Sequence, residues 1–311
     1  MKRLVIGTRK SELALAQARW VKGRLEALAQ IPVELHHIVT KGDRILDVTL
    51  AKIGGKGLFV KEIEAALFSG EIDLAVHSMK DLPAQLPEGL VLAAVTRRED
   101  PRDCLISKTG AGLADLPASS RIGTSSLRRQ AQLMHCRPDL QVVPLRGNVN
   151  TRLQKLAEGE LDGIILAAAG LHRLGLEGRI TQYLSLDVSL PAVGQGALGL
   201  ECRAEDTALR HLLSHLQDDD TRRVVDAERG FLQRVEGSCQ VPVGAYGELS
   251  GDSLRLRGFI ANVKGTRLLR GEREGADPLE LGFSLAEELL ARGGRELLRE
   301  LREEGIMDEK R

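Results

Sequence analysis

Arginine and short hydroxyl side chains cluster at three turns that each follow a short apolar run and precede a helical pattern. The turns span residues 7–11, 123–129 and 146–152, and the first of them carries Arg9 and Ser11. Free backbone N–H groups and the helix dipole attract anions at such a turn, and arginine adds a planar fork that matches a carboxylate. Open α/β sheets bind ligands at the carboxyl ends of their strands, so the pattern predicts a site for a ligand with several carboxylates or phosphates.

A simpler interpretation of the same turns stays open. Ser126 and Asn148 are residue types that cap helices, and the arginines beside them are then solvated surface residues. For one turn alone the two interpretations are about equal. Three arginine-bearing turns that line one cleft favour the anion site.

A carboxylate, an ammonium group and a hydroxyl follow the apolar run at residues 73–76. They belong to Asp81, Lys80 and Ser78. An ordinary turn with an exposed Lys–Asp pair, which stabilises a protein little, explains them in isolation. Beside an anion cleft, Asp81 becomes a candidate for binding or stabilising a cation.

Cys239 lies in a segment, residues 236–242, whose Gly, Ser and Pro content is typical of an exposed loop. A thiol that faces a basic cleft is a stronger nucleophile because more of it is thiolate. A passive cysteine is the alternative, as for Cys104, Cys136 and Cys202, and no pair of these residues has Cys-x-x-Cys spacing.

Two further patterns fit no complete motif. Lys52 and Lys56 lie in a glycine-rich stretch that lacks the spacing of a phosphate-binding P-loop, so we interpret it as a flexible loop or lid. His211 and His215 are four residues apart on a predicted helix, which suits a metal pair. Since no third ligand is apparent, a solvated helix face is favoured and no metal is predicted.

The elements that must position these residues form two alternating β/α sets. The predicted strands lie at residues 4–7, 33–39, 73–76, 90–96, 121–123, 140–144 and 163–167, with helices at 11–29, 58–67, 126–135 and 149–157. Such alternation is typical of largely parallel sheets with helices on their faces. Residues 97–102 and 190–196 look like two chain crossings between lobes, after which a strand at 197–201 rejoins the first sheet. Paired crossings make a hinged cleft.

From about residue 221 the pattern changes to a small α+β domain. A helix at 221–235, capped by Thr221, precedes antiparallel strands at 241–247, 253–261 and 266–272 and a helical pattern at 279–301 interrupted at 293–294. We therefore expect a first lobe at 1–97 and 197–217, a second at 102–191, and a third domain at 221–311 that carries Cys239. The fold class is α/β, with two hinged lobes and a C-terminal α+β domain.

Composition excludes several classes of function. Lys+Arg and Asp+Glu are both 44 and aromatic residues only 3% of the chain, which argues against a nucleic-acid or membrane surface. No stretch approaches the roughly 18 apolar residues of a membrane span. The apolar stretch near Met1 is too short for a signal peptide, so we expect a cytoplasmic protein with reduced cysteines.

The chain resembles the porphobilinogen deaminase (hydroxymethylbilane synthase) family along essentially its whole length. The resemblance includes Val76-His-Ser-Met-Lys-Asp81 and Gly237-Ser-Cys-Gln-Val-Pro242. The other matching segments are residues 7–11, 40–43, 54–57, 98–103, 123–129, 145–148 and 190–196. A collinear set of this kind is far more specific than any lone glycine-rich loop.

The resemblance implies two lobes like those of periplasmic binding proteins and a dipyrromethane cofactor, one per chain, linked by a thioether to Cys239. It implies a transferase that adds four porphobilinogen molecules head to tail, loses ammonia at each step, and releases hydroxymethylbilane for haem biosynthesis. It further implies a monomer. The main alternative is a non-enzymatic two-lobe anion-binding protein, for which Cys239 is dispensable.

The resemblance also implies roles for individual residues. Asp81 matches the catalytic aspartate, whose carboxylate stabilises the positive pyrrole formed when ammonia leaves. Besides Cys239, the positions implied to bind the cofactor are Ser78, Lys80, Thr124, Ser126, Arg128, Arg129, Arg146 and Lys56. The positions implied to bind substrate are Arg9, Ser11, Arg152, Arg173 and Lys52.

Overall fold

The computed structural model describes residues 3–44, 60–235 and 241–306, and these form two α/β lobes and a third, smaller unit. The predicted sites at Lys52, Lys56 and Cys239 lie outside the described residues. Within the described ranges, no helix is both long enough and apolar enough to span a bilayer.

Lobe 1 is built on a five-stranded mixed sheet. Its strands, in the order β2-β1-β3-β10-β4, are β1 Leu4–Thr8, β2 Val33–His37, β3 Leu74–Ser78, β4 Leu90–Val95 and β10 Leu198–Arg203. β1 to β4 run in one direction, and β10 returns from the second crossing and inserts antiparallel between β3 and β4. The predicted parallel arrangement is therefore confirmed for four strands, while the rejoining strand runs the opposite way.

Helices cover both faces of this sheet. They are α1 Glu12–Ala29, α2 Lys41–Arg44, α3 Lys61–Phe68 and α7 Thr207–Ser214. One core joins Leu4 and Ile6 to Val21 of α1 and Leu209 of α7, and a separate core lies under α3 around Leu67. A sheet buried on both faces needs continuous apolar strands, which explains why the strands of this lobe read as short apolar runs.

Lobe 2 repeats the plan with strand order β7-β6-β8-β5-β9. The strands are β5 Asp103–Ser107, β6 Arg121–Gly123, β7 Gln141–Val143, β8 Gly163–Ala167 and β9 Gln182–Tyr183, and the helices are α4 Leu127–Cys136, α5 Val149–Ala157 and α6 Ala168–Arg173. β6 is parallel to β7 and β8, whereas β5 is antiparallel to β8. The sequence interpretation missed β5 because the strand directly follows the charged, proline-containing segment at residues 97–102 that was interpreted as a chain crossing.

The third unit packs three antiparallel strands against helices. The strands are β11 Val243–Ser250, β12 Ser253–Ala261 and β13 Leu268–Gly275, and the helices are α8 Asp219–Arg234, α9 Pro278–Leu289 and α10 Arg295–Glu303. The predicted interruption between the last two helices is confirmed, because Gly293 has a φ of 112°. The predicted cap of α8 is wrong: Asp218 accepts from the N–H of Thr221, which is already helical.

The two chain crossings lie side by side. Arg98 donates from Nε to the carbonyl of Gln195 at 2.8 Å, and the N–H of Glu99 donates to the carbonyl of Gly196 at 3.2 Å. Gly196 has a φ of 99°, and a Cβ there would lie 2.3 Å from the carbonyl oxygen of Glu99. Only glycine fits this conformation and this close approach, so the paired crossings form one compact hinge beneath the cleft.

Candidate active site

The cleft between the lobes holds a cavity of about 1280 Å³ that both lobes, the crossings and the third unit line. Pockets for ordinary small molecules enclose about 300–1,000 Å³. The cavity is therefore large enough for an extended ligand.

The arginine-bearing turns meet in this cavity. Ser11 caps α1 by accepting from the N–H of Ala14, Ser126 caps α4 by accepting from Arg129, and Asn148 caps α5 by accepting from Thr151. The capping interpretation is thus correct for these side chains. It does not replace the anion interpretation, because the arginines that accompany the caps line the cavity together with Lys80. These arginines are Arg9, Arg128, Arg129, Arg146 and Arg152, and Arg173 at the end of α6 lines the same cavity.

The crowding of positive charge around the cavity shifts the pKa values of three of its cationic side chains. Burial, followed by the neighbouring Arg129 guanidinium, lowers the pKa of Lys80 to about 8. Burial, followed by Arg129 and Arg146, lowers the pKa of Arg152 to about 10, and burial lowers that of Arg173 to about 10. Each shift means that burial, together with like charges at Lys80 and Arg152, outweighs the compensation that nearby carboxylates give to the charged form, so anionic groups of a ligand would stabilise that form further.

Asp81 supplies a negative group to the same cavity. It ends a short 3₁₀ turn, Met79–Asp81, that directly follows β3, so the strand end fixes its position. Its charge raises the pKa values of Lys80 and Arg152, against the larger effects that lower them. Ser78 lies at the end of β3 and accepts a 2.9 Å hydrogen bond from Gln17 of α1. A carboxylate therefore lies in the same cavity as the cationic side chains.

A buried carboxylate that the sequence interpretation missed binds two of the arginines that line the cavity. Asp103 is 0% exposed and accepts from both Arg128 and Arg129, which are only 4% and 6% exposed. Burial alone would raise the pKa of Asp103, but the two guanidinium groups hold it far below its usual range. The apolar residues after Pro101 were the sequence signal that could have revealed this strand.

Thr124, a predicted site residue, and the pair His211 and His215 lie away from the open cavity. Thr124 is buried, is not among the residues that line the cavity, and accepts from the N–H of Ser126, so it shapes the turn. His215 directly follows α7 and lies beside His211 with ring centroids 5.3 Å apart, and both side chains are exposed. In the part of the chain that the structure describes, no three His, Cys, Asp or Glu side chains come together as a metal site.

The fold and the cleft define a class: a two-lobed α/β protein with a cationic inter-lobe site and a third α+β unit. Residues 4–211 match the family described as "Porphobilinogen deaminase, dipyromethane cofactor binding domain", and residues 223–291 match "Porphobilinogen deaminase, C-terminal domain". The chain belongs to the porphobilinogen deaminase family, and its lobes form a dipyrromethane cofactor-binding domain.

Relatives and solved structures give the extent of the similarity. The porphobilinogen deaminase of Geobacter sulfurreducens is 56% identical over 313 residues, covering 100% of this chain and 98% of that protein. The porphobilinogen deaminase of Brevibacillus brevis is 53% identical over 298 residues, covering 95% of this chain and 96% of that protein. A crystal structure of a methionine-binding protein covers 71% of this chain and 92% of that chain at 13% identity, with a TM-score of 0.45.

Proposed function

We propose that this chain is a hydroxymethylbilane synthase, a transferase that joins four porphobilinogen molecules head to tail with loss of ammonia and releases hydroxymethylbilane. The observation that carries the proposal is the cleft itself, in which cationic side chains from both lobes surround Asp81. Each pyrrole of the substrate bears an acetate and a propionate, so the growing chain accumulates carboxylates that such a cleft neutralises.

The donor set of the cleft fits a dipyrromethane, which is itself rich in carboxylates. When bound, this cofactor supplies the free pyrrole end to which the next ring is joined. We propose that Cys239 holds it through a thioether. We propose Ser78, Lys80, Ser126, Arg128, Arg129, Arg146 and Lys56 as the residues that surround it, and Thr124 as the residue that shapes the turn before Ser126.

The remaining cations suit the incoming substrate. We propose that Arg9, Ser11, Arg152 and Arg173 bind its acetate and propionate groups, with Lys52 as a further contact. Arg152 and Arg173 are partly buried and carry lowered pKa values. A carboxylate partner therefore gains more there than at a solvated arginine, because low dielectric strengthens the pair.

Asp81 is the proposed catalytic group. Loss of ammonia leaves positive character on the pyrrole nitrogen of the substrate, and a fixed carboxylate close to that N–H stabilises the charge as it develops. The strand end and the 3₁₀ turn hold Asp81 in place before substrate arrives. A preorganised group of this kind contributes roughly 10²–10³-fold to kcat.

Two measurements test the proposal. The intact mass of the purified chain should exceed the sequence mass by one dipyrromethane, and Cys239→Ser should lose this increment. Asp81→Asn should keep the fold and the adduct but lose roughly 10²–10³-fold in kcat. Active enzyme of unmodified mass would refute the cofactor assignment, and near-normal turnover of Asp81→Asn would refute the catalytic assignment.

The alternative, a non-enzymatic two-lobe anion-binding protein, predicts no adduct and no turnover of porphobilinogen. We favour the enzyme because the chain matches the cofactor-binding domain of its family. We further propose a cytoplasmic monomer that binds neither nucleic acid nor membrane. Its domains would be residues 1–97 with 197–217, residues 102–191 and residues 221–311.

A further inference from the structure

Asp103 is the centre of a buried hydrogen-bond network that includes two of the arginines lining the cavity. Its carboxylate accepts from Arg128 at 2.7 and 3.2 Å and from Arg129 at 2.8 and 3.0 Å. It also accepts from Ser189 Oγ at 2.7 Å and from Gln195 Nε2 at 2.9 Å. Such a complete set of donors compensates a fully buried carboxylate and fixes the groups around it.

The bonds within the network do not use every donor of the two guanidinium groups. Arg128 directs two N–H donors to Asp103 and one to the carbonyl of Leu190. Arg129 directs two to Asp103 and one to the carbonyl of Ile165. Since a guanidinium group has five N–H donors, each arginine retains donors beyond those bonds, and both side chains line the cavity.

Gln195 links this network to the other lobe. Its side-chain amide donates to Asp103 and to the carbonyl of Pro101 at 2.7 Å, and its oxygen lies 3.5 Å from Nζ of Lys80. Lys80 follows β3 of lobe 1, whereas Asp103 begins β5 of lobe 2. One buried amide therefore joins the cations of the two lobes at the hinge.

We propose that Asp103 is a positioning residue for anion binding: it holds Arg128 and Arg129 in one ligand-ready arrangement and, through Gln195, fixes them relative to Lys80. Asp103 and the two arginines together have a net charge of +1, which a single carboxylate of the ligand would neutralise. This proposal deepens the function proposed above and rests on it for the identity of the ligand.

Simple electrostatics makes the opposite prediction, which makes the proposal testable. Asp103 is a negative charge beside an anion site, so on Coulomb grounds alone its removal should strengthen the binding of a polycarboxylate. If Asp103 acts by positioning, its removal should weaken binding. Without Asp103 the two guanidinium groups are mobile, and ordering them when the ligand binds costs conformational entropy.

The first test is calorimetric titration of the full-length chain in a Cys239→Ser background with benzene-1,2,4,5-tetracarboxylate. Asp103→Asn should raise the Kd roughly 10- to 100-fold, the usual effect of losing a partner that orients a binding group. Ser189→Ala is the matched control: it removes one neutral hydrogen bond from the same carboxylate and leaves both charge pairs, so its Kd should stay within about threefold. An unchanged or lower Kd for Asp103→Asn overturns the proposal.

The second test uses the unmutated side chains, so it remains decisive if Asp103→Asn does not fold. Nitrogen-15 NMR of the ligand-free chain should show slow rotation of the Arg128 and Arg129 guanidinium groups, assigned by Arg→Lys variants. Freely rotating groups would refute positioning. Neither test uses turnover, so a failure of the proposed enzymatic function, seen as a missing adduct, is distinguishable from a failure of this inference.

Discussion

Glu228 is the buried carboxylate that ties the third unit to the hinge, and its removal gives the sharpest stability prediction. It lies on α8 and is 0% exposed. Oε1 accepts from Arg98 Nη1 at 2.5 Å and from the N–H of Gly247 at 2.8 Å. Oε2 accepts from Arg98 Nη2 at 3.2 Å and from the N–H of Gly194 at 2.6 Å. The carboxylate therefore joins both chain crossings to β11.

Glu228→Gln keeps the shape of the side chain but not its function. One oxygen becomes an NH₂ group that faces two donors, and Arg98, which is 10% exposed, loses its counter-charge. Breaking a buried ion pair from one side costs about 3–5 kcal/mol. At roughly 2–4 °C per kcal/mol, the Tm should fall by about 6–20 °C.

The assay is thermal and urea unfolding at neutral pH, followed by circular dichroism. Arg267→Gln is the matched control, because Arg267 pairs with Glu296 and Glu300 at an exposed position. Exposed pairs contribute about 0–1 kcal/mol, so the control should lose at most about 1 kcal/mol. If Glu228→Gln loses no more free energy of unfolding than this control, the reasoning about Glu228 is refuted.

Three further outcomes follow from the structure. Gly196→Ala should destabilise the protein by roughly 1–3 kcal/mol more than Gly110→Ala, since both positions have positive φ but only the first brings a Cβ against backbone; equal Tm losses would contradict this. Affinity of the Cys239→Ser chain for benzene-1,2,4,5-tetracarboxylate should fall as pH rises through about 8, because Lys80 loses its charge there; titration of Lys80→Met should lack this step. Burial raises the pKa of Cys104 to about 12 and that of Cys202 to about 11, so iodoacetamide should leave both unmodified in the native Cys239→Ser chain, as peptide mass mapping would report.

The sequence predicts what depends on local pattern. The capped turns at Ser11, Ser126 and Asn148 were identifiable because short polar side chains precede helical periodicity there. The third unit was identifiable because its strands alternate and its last helix is interrupted at glycine. In these places, residues within a few positions of one another determine the local structure.

The rest depends on contacts between residues far apart in the chain. The direction of β10 follows from the return of the chain across the hinge, which no local pattern encodes. Asp103 directly follows the segment interpreted as a chain crossing, residues 97–102, and its role was missed because its partners Arg128, Arg129 and Gln195 lie 25, 26 and 92 positions away. Long-range polar networks of this kind carry no periodicity, so sequence patterning cannot find them.

The position of these networks determines what a hinge motion would change. Arg128 and Arg129 are bound to Asp103 within lobe 2, so they move with that lobe as one body. Asp81 and Lys80 follow β3 and move with lobe 1. The contact between Lys80 and Gln195, at 3.5 Å, is the longest bond in the network and joins the two bodies. Rotation about the crossings would therefore have to break the contact between Lys80 and Gln195 before it changed the separation of Asp81 from the arginine pair. The bonds of Arg128 and Arg129 to Asp103 would stay intact, because all three residues belong to lobe 2.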